Sequence, residues 1–246
     1  MIPENQELKS RARESLLGHY GVIIWATLIA EIIGALLATF FDFSGNTYLS
    51  LFLSIAASFF LSVMFLTLDA GLHYMHLQLA RQRQIRVSDL FFCYRVHADI
   101  SIQLGLLLSL VNLLVIVPFG IIRIWFPQML RPLWAYILYL VVYAAALFTV
   151  NLLYSMAFFL LFDEPGLRAA QLMRESRLLT RGFRLRLAGL ILSFIGYGLL
   201  CVVSLGIALL WVSPYLGTTS AHFYLSLREA AHTENGMPDT VSEESA

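Results

Sequence analysis

Charge is what this sequence has least of. Only 13% of its 246 residues are Asp, Glu, Lys or Arg, against about 25% in a soluble domain. The 16 basic and 16 acidic side chains cancel, so no surplus is left to neutralise phosphates and no nucleic-acid partner is expected. Cysteine is nearly missing as well. Cys93 and Cys201 make no disulfide framework and no CxxC pair, and each reads as an inert apolar thiol, although Arg95 lies close to Cys93. There is no serine-nucleophile motif, phosphate-binding glycine loop or pair of catalytic acids, so neither an enzyme nor a cofactor is expected. The opening MIPENQELKSRARE lacks a basic stretch running into a short apolar core, so the first apolar segment is expected to stay as an anchor.

What the chain does have is hydrophobic residues, at 59%, with a mean hydropathy of +0.76. That excludes a soluble enzyme, a disordered chain and a coiled coil. It predicts an all-α, polytopic transmembrane bundle with short cytoplasmic interfacial helices. A span needs about 20 apolar residues to cross about 30 Å of hydrocarbon. Six such segments are predicted, at 20–41, 48–68 (its helix continuing to 80), 100–122, 133–162, 187–203 and 205–227. The last two are separated only by a short break at Ser204–Gly206, so one long broken helix is the alternative to two spans. Pro118 and Pro214 are possible breaks near the ends of the third and sixth spans. Residues 1–231 form one membrane domain and 232–246 a disordered acidic tail.

Six spans put the basic residues from Lys9 to Arg13, Arg81 to Arg95 and Arg168 to Arg228 on one side, and only Arg123 and Arg131 on the other. The positive-inside rule makes the crowded side cytoplasmic, with both termini inside, in a bacterial cytoplasmic membrane. Trp125, Trp134, Tyr136 and Tyr139 stand where an aromatic belt belongs. Three cytoplasmic stretches look interfacial: Glu4–Gly18, Val87–His97 with Ser88 as N-cap, and Leu167–Gly182. The basic residues Arg168, Arg174, Arg177, Arg181, Arg184 and Arg186 are candidates for anionic phospholipid head groups, or serve topology and docking alone.

Two stripes of small residues run along the first two spans: Ala26, Ala30, Gly34 and Ala38, then Ser50, Ser54, Ser58 and Ser62. Spacing by four puts each set on one helix face, where backbones can approach closely. Packing between the two spans, a homo-oligomer seam and, for the serines, a polar path all fit. Glu31, Asn112 and Asn151 fall at similar mid-membrane depth. A protonated Glu31 bonded to the two amides is the expected picture, either a static knot or part of a solute route. Asp69, His73 and His76 share a helix face as a weak metal candidate, or as wet-interface residues paired with Arg81 or Arg95.

Four strings carry a resemblance: ELKSRARESLLGHYG, LARQRQIRVSDLFFCYR, RESRLLTRGFRLRLAGLILSFIGYGLL and GIALLWVSPYLGTTSAHFY. Together they resemble the bacterial integral-membrane family known as domain of unknown function 975. Ser176, Gly182, Phe194, Gly196, Pro214, Tyr215 and Tyr224 fall on the family's pattern, whereas Tyr197 stands where tryptophan is usual and Pro118-Phe119-Gly120 where a Pro-Gly pair is usual. The resemblance implies a multi-span bacterial membrane protein and no particular activity. The leading functional expectation is a non-enzymatic scaffold or interaction module that contacts anionic lipids or a partner membrane protein. A small-solute or ion transporter with a polar path near Glu31, Asn112 and Asn151 is second, and a membrane enzyme with a cytoplasmic-face site is third.

Overall fold

The computed structural model describes residues 3–40, 48–96 and 98–234. Among them the chain is helical, without strands. Apolar runs of this length form helices because a backbone in hydrocarbon must bond within its own segment. The order is α1 (Asn5–Leu16), α2 (Tyr20–Phe40), α3 (Tyr48–Ala80), a 3-10 turn (Val87–Phe91), α4 (Phe92–Val96), α5 (Ala98–Trp125) and a second 3-10 turn (Pro127–Leu130). There follow α6 (Leu133–Tyr154), α7 (Ala157–Asp163), α8 (Ala169–Leu179), α9 (Arg184–Leu192), α10 (Ile195–Val203) and α11 (Leu209–Glu234). Five stretches are long and apolar enough to cross a membrane: Tyr20–Thr39, Phe52–Ala80, Ala98–Trp125, Leu133–Asp163 and Arg184–Val203. The sixth expected span falls in α11, which has the length but carries Ser213, Thr218, Thr219, Ser220 and His222.

The helix α3 is the axis. One face sends Ala70 and Leu77 into a core with Leu104, Phe159, Leu172 and Tyr224, and the other sends Leu68, Met75 and Leu79 into a core with Leu16, Ile23, Leu90 and Tyr215. A helix that is apolar all round needs partners on every side. Two glycines let those partners come close. A Cβ at Gly71 would lie 1.8 Å from the Leu90 carbonyl oxygen, and one at Gly217 of α11 would lie 2.3 Å from the His76 ring.

After α9 the chain folds back. The Tyr197 and Tyr215 rings are 6.0 Å apart, yet 18 residues of continuous helix would separate them by about 27 Å. The reversal lies between α10 and α11, where Leu205 (φ 52°) and Gly206 (φ 90°) both take the left-handed conformation. Residues 187–227 are therefore two antiparallel arms and not one broken helix. Pro118 and Pro214 break nothing: each lies inside a continuous helix, where neighbouring helices can tolerate the lost backbone bond.

All three stretches expected to be interfacial bury apolar residues against protein. Leu8, Ala12 and Leu16 of α1 are fully buried, as are Leu90 and Cys93. In α8 the buried residues Ala169, Leu172, Met173 and Ser176 recur at helical spacing. Ser88 is not an N-cap, because the turn already starts at Val87 and the Asp89 carboxylate accepts the Arg86 N–H at 2.8 Å. The helix α11 runs to Glu234, three residues into the tail expected from 232; residues 235–246, like the predicted turn at 41–47, lie outside the described residues.

The sequence DEPG does more than stop a helix. Asp163, at the end of α7, accepts from Arg81, just past α3, at 2.5 Å and from the Tyr224 hydroxyl of α11 at 2.7 Å. Glu164 pairs with Arg228 of α11 at 2.5 Å. Three helix ends are thus tied by two neighbouring acids, with the Asp163 side chain largely buried. Replacing Asp163 with Ala strands a cation and a hydroxyl together. It should cost on the order of 2 kcal/mol and lower the thermal midpoint in detergent, whereas Tyr224→Phe should cost about 1 kcal/mol.

Candidate functional site

Asp69 lies just past the expected end of the second span, and His73 stands one helical turn further along α3. The His73 Nδ1 is 2.9 Å from the Asp69 backbone oxygen and 3.5 Å from its carboxylate. An Nδ1–H donated to that carbonyl leaves Nε2 as the ring's acceptor. The Phe158 and Phe159 rings hold the imidazole, with centroids 5.3 and 5.1 Å away.

This pair borders a cavity of about 310 Å³ between α3, α5 and α6, whose other polar walls are Asn112, Asn151 and Ser155. Asp69 also borders a second cavity, of about 170 Å³, together with Glu31 and Phe65. Asn112 in turn borders an open groove of about 750 Å³ lined by Ser54, Ser58, Ser62 and Ser109. The Ser62 and Ser109 hydroxyls are hydrogen-bonded at 2.9 Å across α3 and α5. Two groups that the sequence places apart, the histidine–aspartate face and the mid-membrane amides, therefore meet along one side of α3. Among the described residues no lysine or arginine lines these three spaces, while Glu31 and Asp69 do. With the His73 ring 3.5 Å from the Asp69 carboxylate, acidic groups still outnumber permanent cations along these walls.

Other expected groupings are not made. The two asparagines bond their own helices and are not hydrogen-bonded to Glu31: Asn112 Nδ2 donates to the Leu108 oxygen at 3.1 Å and Asn151 Nδ2 to the Leu147 oxygen at 2.8 Å. His76 leaves Asp69 and His73 and faces α11, where its Nδ1 is 3.1 Å from the Thr218 hydroxyl. The three do not converge as metal ligands, and among the described residues no group of three such side chains does. Arg81 is held by Asp163, so it is not the partner of this face.

The remaining candidates are placed as follows. Ala26 and Ala30 are buried, Gly34 lies against the Phe65 ring, and Ala38 is exposed beside the serine groove. Ser50, Ser54 and Ser62 are half-buried and Ser58 is exposed. Arg168, Arg174, Arg177 and Arg181 point away from the core. Arg184 is half-buried and donates to the Arg177 backbone oxygen at 3.2 Å, and Arg186 reaches the Pro3 backbone oxygen. Ser155, Phe158 and Phe159 escape the sequence reading, since nothing but the packing of α7 on α3 assigns them to the site.

The arrangement defines a helical protein with segments long and apolar enough to span a membrane and a largely apolar cleft edged by a few polar side chains. The chain belongs to the family described as protein of unknown function (DUF975), whose pattern matches residues 1–231. No curated protein and no solved structure matches it.

Cys93 lies outside the spans, and burial pushes its thiol up to about 11, opposed in small part by the nearby Ser101 hydroxyl. The folded state therefore keeps the proton that the unfolded chain releases near pH 9. This contribution is intact below pH 9 and is lost as pH climbs towards 11. The thermal midpoint of the wild type should fall towards that of Cys93→Ala over this window, and iodoacetamide at pH 8 should leave Cys93 unmodified until the protein is unfolded.

Proposed function

We propose that this protein is a non-enzymatic membrane protein that takes a small organic or inorganic cation into the cavity bordered by Asp69, His73, Asn112 and Asn151, as one step of solute passage. The observation that carries the reading is the position of Asp69: its carboxylate borders two spaces at once, one with the amides and one with Glu31, and no cationic chain from Lys or Arg neutralises either. A space of about 310 Å³ is of ligand size. The serine groove, joined to it at Asn112, offers hydroxyls along the helix. In this reading the chain lies in a bacterial cytoplasmic membrane with both termini inside, on the strength of its arginine distribution.

A scaffold role on anionic phospholipids, alone or with a second copy or a partner membrane protein, is the second reading. It is favoured by the outward face of α8 and the residues just after it, where Arg174, Arg177 and Arg181 stand exposed while Leu172 and Met173 are buried on protein. Under it, changing those three arginines to glutamine lowers the phosphatidylglycerol that copurifies and leaves cavity chemistry untouched.

The test uses the full chain with Cys93 and Cys201 replaced by serine and a single cysteine at position 112 or 151. A cationic thiosulfonate reagent should modify either cysteine at least 10-fold faster than an anionic one, relative to their rates with a free thiol. Asp69→Asn should erase that preference. Equal rates, or no reaction with either reagent in folded protein, would overturn the solute reading.

A further inference from the structure

We infer that α10 and the first turns of α11 form a re-entrant hairpin, which enters the bilayer from the side where α1 lies, ends in hydrocarbon and returns to the same side. The 12 residues of α1 include Glu7, Lys9, Arg11, Arg13 and Glu14, so this helix stays in water or among head groups, because charge in hydrocarbon costs several kcal/mol.

That charged helix is clasped to both arms of the hairpin. Lys9 Nζ donates to the Ser193 oxygen at 3.3 Å and stands 4.5 Å from the centre of the Phe194 ring. The Arg13 guanidinium donates to the Tyr215 hydroxyl at 3.0 Å and to the Tyr197 hydroxyl at 3.4 Å. The Ser15 hydroxyl is 3.0 Å from His222 Nε2. The head-group level thus crosses the first arm near Ser193–Tyr197 and the second near Tyr215–His222.

Little chain is left below that level. From Tyr197 to Ser204 the first arm descends seven residues, about 10 Å, and from Leu209 to Tyr215 the second climbs six, about 9 Å. The hydrocarbon is about 30 Å thick, so the tip stops well short of the far side. Tyr20, which opens α2, packs in the same cluster as Phe194 and Tyr215, and from there α2 continues for 21 residues, about 31 Å. The hairpin therefore reaches less than half as deep as its neighbour.

The tip is also built for a dry place. Leu205 is 94% exposed and Val203 77% exposed. Its backbone closes on itself: the Gly206 N–H donates to the Cys201 oxygen at 2.7 Å, the Ile207 N–H to the Ser204 oxygen at 3.1 Å, and the Ala208 N–H to the Ser204 hydroxyl at 3.0 Å. These bonds satisfy several of the tip's N–H groups internally, which lowers the cost of holding it out of water. The stretch 184–203 has the length and hydropathy of a span, but α9 lies above the level fixed by Lys9 and does not add to the depth. This inference is independent of the solute reading.

The test is sided labelling of the full chain in sealed vesicles of either orientation, with Cys93 and Cys201 replaced by serine. Met129→Cys, in the turn between α5 and α6, should react with a membrane-impermeant maleimide from one side only. Leu205→Cys should react from neither side and label fully once denatured in SDS. A nitroxide at 205 should be relaxed by oxygen and not by a water-soluble nickel chelate. If Leu205→Cys does not fold, Ile207→Cys takes its place, since it is exposed on the same tip. Labelling of 205 from the side that labels 129 would establish two complete spans and overturn the inference, and labelling from the opposite side would remove the tip from the bilayer and overturn it as well.

Discussion

The exclusion of charge from hydrocarbon governs how these helices are stacked. Each helix that carries ionised side chains is fixed in height by them, and the apolar segments hang from those points. Arg81, Asp163, Glu164 and Arg228 tie the ends of α3, α7 and α11. Lys9 and Arg13 tie α1 to the turn between α9 and α10 and to α11. These are few contacts, but an acid or base without its partner there would have to find water, and the helix would shift to reach it. The two apolar cores on opposite faces of α3 fill the space the anchored ends define.

Most of the helices were legible because the physics behind them is local. Twenty apolar residues in a row have one hydrogen-bonded solution in a bilayer, and α2, α3, α5 and α6 lie where their hydropathy places them. The amphipathic stripe of α1 is also local, but its destination is not: the same Leu8, Ala12 and Leu16 suit a lipid surface or a protein face, and only the fold brings α11 beneath them. Pairs such as Arg13 with Tyr215 join residues about 200 positions apart, and no spacing rule reports them. DEPG was readable as a helix stop through its proline, while the role of Asp163 depends on two other helices ending at the same height.

The candidate site was legible in its parts and not in their grouping. Glu31, Asn112 and Asn151 stand out because polar groups are rare at that depth. Their expected mutual bonds fail because an asparagine on a helix has a nearer acceptor, the carbonyl four residues back. What joins them is shared space along α3. His76 belongs by spacing with Asp69 and His73, yet it was lost to the site because Gly217 admits the imidazole to α11.

The two close contacts of α3 carry a mechanical consequence. At Gly71 the helix rests on the backbone of the turn at Leu90, and at His76 it is seated against Gly217. The first contact is backbone on backbone and the second sets the buried His76 ring against backbone, so α3 has little room to slide or roll at either point. The turn, the second half of α3 and the middle of α11 must therefore move as one solid piece. The spaces beside Asp69 share that piece as one wall, so their width is set by how α2, α5 and α6 pack against it.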